Sequence, residues 1–252
     1  VLMTPFLTLT RRELAGYFLN LRGYVILAGV QLFLGASLLL ATHQAEGMAM
    51  GMTMVEAFPR SQFFWLVLLL AAPIITMRTF AHEKSTGTYE TLLTAPVRDR
   101  DVVLAKFAGA YTFYLAAFAP MVVYPYLLHR YSHQPVPLDF ALVASLGLGV
   151  ALIGAFFIAL GCLASSLSRS QIVSAVVAFG AGSLHLILSF LSGKPPAEAA
   201  WWHAVYQHIS AIDHLRDFSQ GILDTRHVVF YLSLTMVCLF LTGRSVESRR
   251  WR

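Results

Sequence analysis

The chain is poor in charge. Charged residues make up 12% of its 252 positions, about half the roughly 25% usual in a soluble domain, while apolar types reach 57%. That balance excludes an ordinary water-soluble globule and makes this an integral membrane protein. Cysteine is equally scarce. Cys162 and Cys238 are the two in the chain, both inside apolar runs, so neither a disulfide framework nor a cysteine zinc site is readable. No G-x-x-x-x-G-K-[ST] loop is present to cradle nucleotide phosphates. The nearest stretch, "LSGKPP", has Gly193-Lys194 but lacks the first glycine and runs into prolines. ATP-driven work would therefore need another chain. No charged cluster sits in the middle of an apolar run, which argues against a proton- or ion-coupled pump. A signal-peptide layout is missing too. "VLMTPFLTLTRRELAGYF" places its arginines after a short mixed stretch with no small-residue cleavage pattern. The first span is expected to act as its own insertion signal.

What the chain has is apolar runs of membrane length. About twenty helical residues cross a hydrocarbon core of roughly 30 Å. Six segments qualify, near Gly23–Thr42, Gln62–Met77, Val102–Leu128, Phe140–Leu167, Ile172–Leu191 and His227–Thr242. The fold class predicted is all-α: one membrane domain over residues 1–252, with short outer helices before the last span. Pro73, Pro120 and Pro125 fall in or near spans, where each removes a backbone donor and favours a kink. Asp99 is placed to cap the third span.

Charge sets the expected orientation. An even number of spans puts both termini on one side. Arg11, Arg12, Arg22, Arg78, Lys84, Arg98, Arg100, Lys106, Arg169, Arg244, Arg249, Arg250 and Arg252 lie on that side; Arg60, Arg130, Lys194, Arg216 and Arg226 lie on the other. Basic residues concentrate on the cytoplasmic face. Both termini and the segment Ala81–Pro96 are therefore expected in the cytoplasm. The net charge of +5 follows from topology, and no nucleic-acid partner is required.

Before the first span, Leu7, Leu14, Phe18 and Leu21 share one helical face, with Arg11, Arg12 and Glu13 off most of it. Such a helix suits the membrane surface. The segment "AHEKSTGTYETLLTAP" offers a turn at Gly87. A short helix from Thr88 to Thr94 follows, with Glu90 in its first turn; Leu92 and Leu93 form an apolar patch, and Pro96 ends it. Read from composition alone, it is equally a solvated loop.

"FAHEKSTGTYETLLTAPVRDRDVVLAKF" resembles the loop between the second and third spans of ABC-2 type transporter permeases. The likeness is carried by Glu83, Lys84, Gly87, Glu90, Leu92, Leu93, Pro96 and Lys106. The tail from Asp213 to Trp251, with Phe218, Gly221 and Glu247–Trp251, resembles the end of the same permeases. The likeness is greatest to the group serving gliding motility and nitrous-oxide-reductase maturation. The resemblance implies a bacterial inner-membrane permease that works as an exporter, paired with a second copy or a sister permease. It also implies two ABC ATPase subunits that hold ATP and Mg, no cofactor in this chain, and no enzyme activity of its own. A coupling helix over Ser85–Thr94 would seat in the ATPase, with Glu83, Lys84, Ser85, Gly87, Thr88, Glu90, Leu92 and Leu93 as its residues.

On the outer side, Trp201 and Trp202 suit a membrane interface. Leu215, Phe218 and Ile222 share a helical face, with Asp213, Arg216 and Asp217 off it. A lid over an exit, built from Trp201, Trp202, Asp213, Arg216 and Phe218, is the functional reading; an interfacial anchor is the plainer one. Asp213 and Arg216 are spaced to pair. Met48, Met50, Met52 and Met54 alternate near His43. Thioethers suit Cu(I), and they also serve as flexible apolar lining. His185 is the main ionisable residue within a span. Gln31 and Tyr114 are candidates for a pathway or a subunit contact. The small residues of "GLGVALIGAFFIALG" allow close approach within the bundle or between subunits. The alternatives are an ATP-independent secondary transporter and a membrane scaffold for assembling an outer-side protein, copper-bearing if the methionines bind metal.

Overall fold

The computed structural model describes residues 5–46, 54–88, 97–131, 139–191 and 208–250. Among these it is all-helical, and six helices are long and apolar enough to cross a membrane. The helices are α1 (Pro5–Phe18), α2 (Leu21–Glu46), α3 (Met54–Ala57), α4 (Gln62–Thr76), α5 (Ala81–Thr86), α6 (Asp99–Phe118), α7 (Pro120–Tyr131), α8 (Phe140–Leu167), α9 (Gln171–Leu191), α10 (Ala211–Ser219) and α11 (Thr225–Arg250).

The expected spans are all present, all but one with changed ends. The fourth keeps its expected bounds, Phe140–Leu167. The last is extended on both sides, to Thr225–Arg250, because a helix does not stop where its side chains turn polar. The third span is interrupted at Ala119, and Pro120 opens a new helix there, the position a proline tolerates best. Pro73 and Pro125 lie inside continuous helices. Asp99 is not the cap expected of it. Arg98 holds the cap position without a side-chain bond, and Asp99 is the first helical residue. A cap does form at Asp139, whose carboxylate accepts from Ala141 N at 2.8 Å.

α8 is the centre of the bundle, touching α4, α6, α9, α10 and α11. Its glycines explain how. In lipid, helices associate through close packing, since tails are as apolar as leucine. A Cβ on Gly154 would lie 2.0 Å from the Tyr114 ring, one on Gly161 2.0 Å from Thr76 Oγ1, and one on Gly149 2.8 Å from Phe218. These three glycines thus admit α6, α4 and α10, which assigns them to internal packing. Gly147 has nothing within 4 Å of such an atom. Gly154→Ala is therefore expected to lose about 1–3 kcal/mol to overpacking. Gly147→Ala should be neutral or slightly stabilising. Thermal unfolding of the two variants in detergent measures the difference.

Gln31 and Tyr114 also serve the interior. Gln31 Nε2 donates to Ala117 O at 2.6 Å and its Oε1 accepts from Tyr124 at 2.9 Å. Tyr114 is fully buried and donates to Val150 O at 3.2 Å. His185 is buried against the edges of Phe156 and Phe157. Cys162 and Cys238 are free thiols in the core.

Candidate functional site

The segment between the second and third spans begins with a tight turn, Met77–Phe80, which leads directly into α5. α5 has a problem of its own making. A helix start leaves backbone N–H groups without acceptors, and the cap residue here is Phe80, which has none to offer. Ser165, near the end of α8, supplies the acceptor from outside. Its Oγ receives Phe80 N and Ala81 N, each at 3.1 Å, and donates to Met77 O at 3.4 Å. Ser165, Phe80 and Ala81 are all fully buried.

The side chains of α5 tie it to further helices. Lys84 Nζ donates to Ser166 O, which also accepts from Ser245 of α11. The His82 ring meets Gln171, the first residue of α9, at 3.1 Å. Glu83 Oε1 accepts from Lys106 Nζ of α6 at 2.7 Å. Lys106 is only 2% exposed and gives a second bond to Glu13 Oε1 of α1 at 3.1 Å. Arg12 closes the outer edge, 3.2 Å from Glu13 and 3.5 Å from Glu83. Two carboxylates and two cations thus form one neutral cluster, with Lys106 also 5.4 Å above the Phe80 ring. The second oxygen of Glu83 is buried without a hydrogen-bond partner among the described residues.

α1 has an inward face beside the expected apolar one. Leu7 and Leu21 are exposed, at 48% and 80%. Glu13, expected off the apolar face, points inward to Lys106. α1 packs against α6, where Gly109 lets it in: a Cβ there would lie 2.7 Å from Glu13 Cβ. Tyr17 stacks on Phe113 at 4.8 Å and Phe18 meets the same ring edge-on. The Tyr17 hydroxyl donates to Ile75 O at 2.9 Å. Burial, with smaller contributions from Cys162 and Glu13, pushes this phenol well above its ordinary range, so it stays protonated and keeps donating.

Of the expected coupling residues, Glu83 and Lys84 are turned toward the bundle, while Ser85, Gly87 and Thr88 are exposed. Gly87 takes a φ of +75° at the end of α5, the left-handed turn that favours glycine. The helix described here precedes Gly87. Glu90, Leu92, Leu93 and most of the helix expected from Thr88 to Thr94 lie outside the described residues. Sequence reasoning missed Ser165, Ser166 and Gln171. Lys106 carried a signal, since a lysine several residues into a span needs a partner.

At the opposite end of the bundle, α10 is seated by Leu215 and Phe218, both fully buried. Ser210 caps it, accepting from Asp213 N at 3.2 Å, and Ser189 of α9 accepts from Ala211 N at 2.9 Å. Ile222 does not share this face. It follows the left-handed Gly221 and is 52% exposed. Arg216 lines a cleft of about 810 Å³ with Arg60, Trp65, Leu69, Ile187 and Phe190. On the other flank, His227 meets Asp217 at 2.9 Å and stacks on His214, their centroids 4.0 Å apart. Trp201, Trp202, Met48, Met50 and Met52 lie outside the described residues, as does the side chain of Met54. Among the described residues, no group of three His, Cys, Asp or Glu is placed to hold a metal.

The family model described as "ABC-2 family transporter protein" matches residues 49–243, well over half of the chain. No curated protein matches it.

Proposed function

Because this chain belongs to the ABC-2 family of transporter proteins, a family of membrane permeases, we propose that it is the permease subunit of an exporter driven by a separate ATPase through α5 and the residues that follow. Two ATPase subunits bind ATP and Mg, and two permease chains, identical or sister, form the pathway. The permease itself makes and breaks no covalent bond. The bacterial inner membrane is its place, with both termini and α5 in the cytoplasm, as the distribution of Lys and Arg favours.

One observation carries this reading. α5 presents an exposed tip at Ser85–Thr88, yet its base is bonded to α1, α6, α8 and α9. A force applied to the tip is therefore shared among several helices at once, as a rigid lever requires. Differential contacts of the tip with open and closed ATPase states would bias two arrangements of the spans. Glu83 and Lys84 act in this scheme as the base of the lever, and Ser85, Gly87 and Thr88 as its contact surface. Glu90, Leu92 and Leu93, outside the described residues, are assigned to the same contact by the family likeness.

At the far end, Ile212, Arg216 and Ser219 of α10, with Gln220 just after it, line the 810 Å³ cleft. With Trp201 and Trp202 in the preceding segment, α10 is the lid of the exit. The coupling reading is tested by purifying the chain with its native neighbours. An ATPase subunit that accompanies the wild type should be lost from Ser85→Arg, a change at an exposed position outside the ion cluster. Retention of the ATPase at wild-type stoichiometry would argue against the tip as the contact.

A further inference from the structure

A second cleft, of about 520 Å³, opens beside the ion cluster between the start of α2 and the end of α4. Its lining includes Arg22, Val25, Ile26, Ile74, Arg78 and His82. The two helices present the same order of chemistry. On α2, Arg22 lies one helical turn before Val25 and Ile26; on α4 and the turn after it, Ile74 lies one turn before Arg78. Residues three or four apart share a helix face. Arg22 of α2 and Arg78 of the turn after α4 thus both line the cleft near α5, with branched apolar side chains further along each span. Val25 is 63% and Ile74 39% exposed, so this apolar wall is open to an occupant.

The charges are not balanced locally. Glu13 and Glu83, the carboxylates of the cleft, are engaged by Lys106 and Arg12. Arg22 and Arg78 have no acidic partner among the described residues, and Arg78 meets only the His82 ring, at 3.5 Å. An apolar wall topped by two unneutralised guanidiniums matches one class of molecule, an amphiphile with an anionic head. Arginine binds phosphate oxygens through its planar fork.

We propose that this cleft is a binding site for one anionic phospholipid of the adjacent leaflet. Its phosphodiester lies between Arg22 and Arg78, and an acyl chain runs along Val25, Ile26 and Ile74. The bound lipid fills the gap between the first two spans next to α5. The assignment is independent of the ATPase-coupling reading, since it requires only that the chain sit in a bilayer.

The test uses the full chain purified in mild detergent with an equimolar mixture of phosphatidylglycerol and phosphatidylcholine. Retained lipid is counted by mass spectrometry. The wild type should retain phosphatidylglycerol preferentially. Each arginine removed should reduce that preference about five-fold, so Arg22→Gln with Arg78→Gln should reduce it about 25-fold. Arg98→Gln with Arg100→Gln removes the same charge outside the cleft and should keep the preference. Equal losses in both double variants would show diffuse charge attraction and overturn the site, as would no loss in either. Displacement of the lipid by millimolar inorganic phosphate would reassign the arginines to a free anion and also overturn it. If the double cleft variant does not fold, Arg22→Gln alone, at an exposed position, should show the single-residue loss.

Discussion

Lys106→Met is expected to destabilise the folded chain by about 3–5 kcal/mol, the cost of leaving a buried charge without its partner. The substitution removes the ammonium that both Glu13 and Glu83 address. Two carboxylates then face each other with only the half-exposed Arg12 between them. Glu83 is the more vulnerable, because its second oxygen has no partner to fall back on. The loss should appear as a lowered unfolding midpoint in detergent and as freed exchange of the α1 amides. The triple variant Glu13→Gln, Glu83→Gln, Lys106→Met should recover a large part of the loss, since it removes the unpaired charges together. No recovery in the triple variant would mean that the loss does not come from the unpaired carboxylates.

Ser165→Ala is the second large effect. Alanine adds no bulk at this fully buried position and removes the acceptor of two buried N–H groups, Phe80 and Ala81. Each unsatisfied buried donor costs about 1–3 kcal/mol. The expected outcome is a loss of about 2 kcal/mol or more, with hydrogen exchange accelerated at Phe80 and Ala81 in particular. Ser166→Ala is the informative contrast. Lys84 binds the backbone carbonyl of Ser166, which the substitution leaves in place, so its effect should stay below about 1 kcal/mol. If the proposed coupling holds, Ser165→Ala should also lower ATP-driven transport at temperatures where the chain remains folded.

Much of this architecture could be read before any coordinates. Apolar runs specify spans because the bilayer permits little else than helices, and Phe140–Leu167 has the same bounds in both readings. The glycines of α8 signalled close approach, but not to which neighbour; only their contacts with Tyr114, Thr76 and Phe218 decide that. The inward face of α1 was illegible for a definite reason. A periodicity argument sends every charge to water, and it cannot register that Glu13 has a cation waiting 93 positions later in the chain. The cap of α5 was illegible for the same cause. Local cap rules look one to three residues away, whereas Ser165 reaches back across 85 and 84 positions. The residues that build the candidate site are thus those whose partners are distant in sequence, and the exposed tip is the part that sequence pattern marked.

Cross-linking from the tip is the most direct measurement. Single cysteines at Ser85 and Thr88, carrying a short photoactivatable group, are placed in the chain co-expressed with its native neighbours. Leu184→Cys, on an exposed position within the span of α9, is the control. The account predicts an adduct with an ATPase subunit from Ser85 and Thr88, altered in yield by nucleotide, and none from Leu184. Adducts from all three positions, or none from the tip under any nucleotide condition while an ATPase is present, would contradict it.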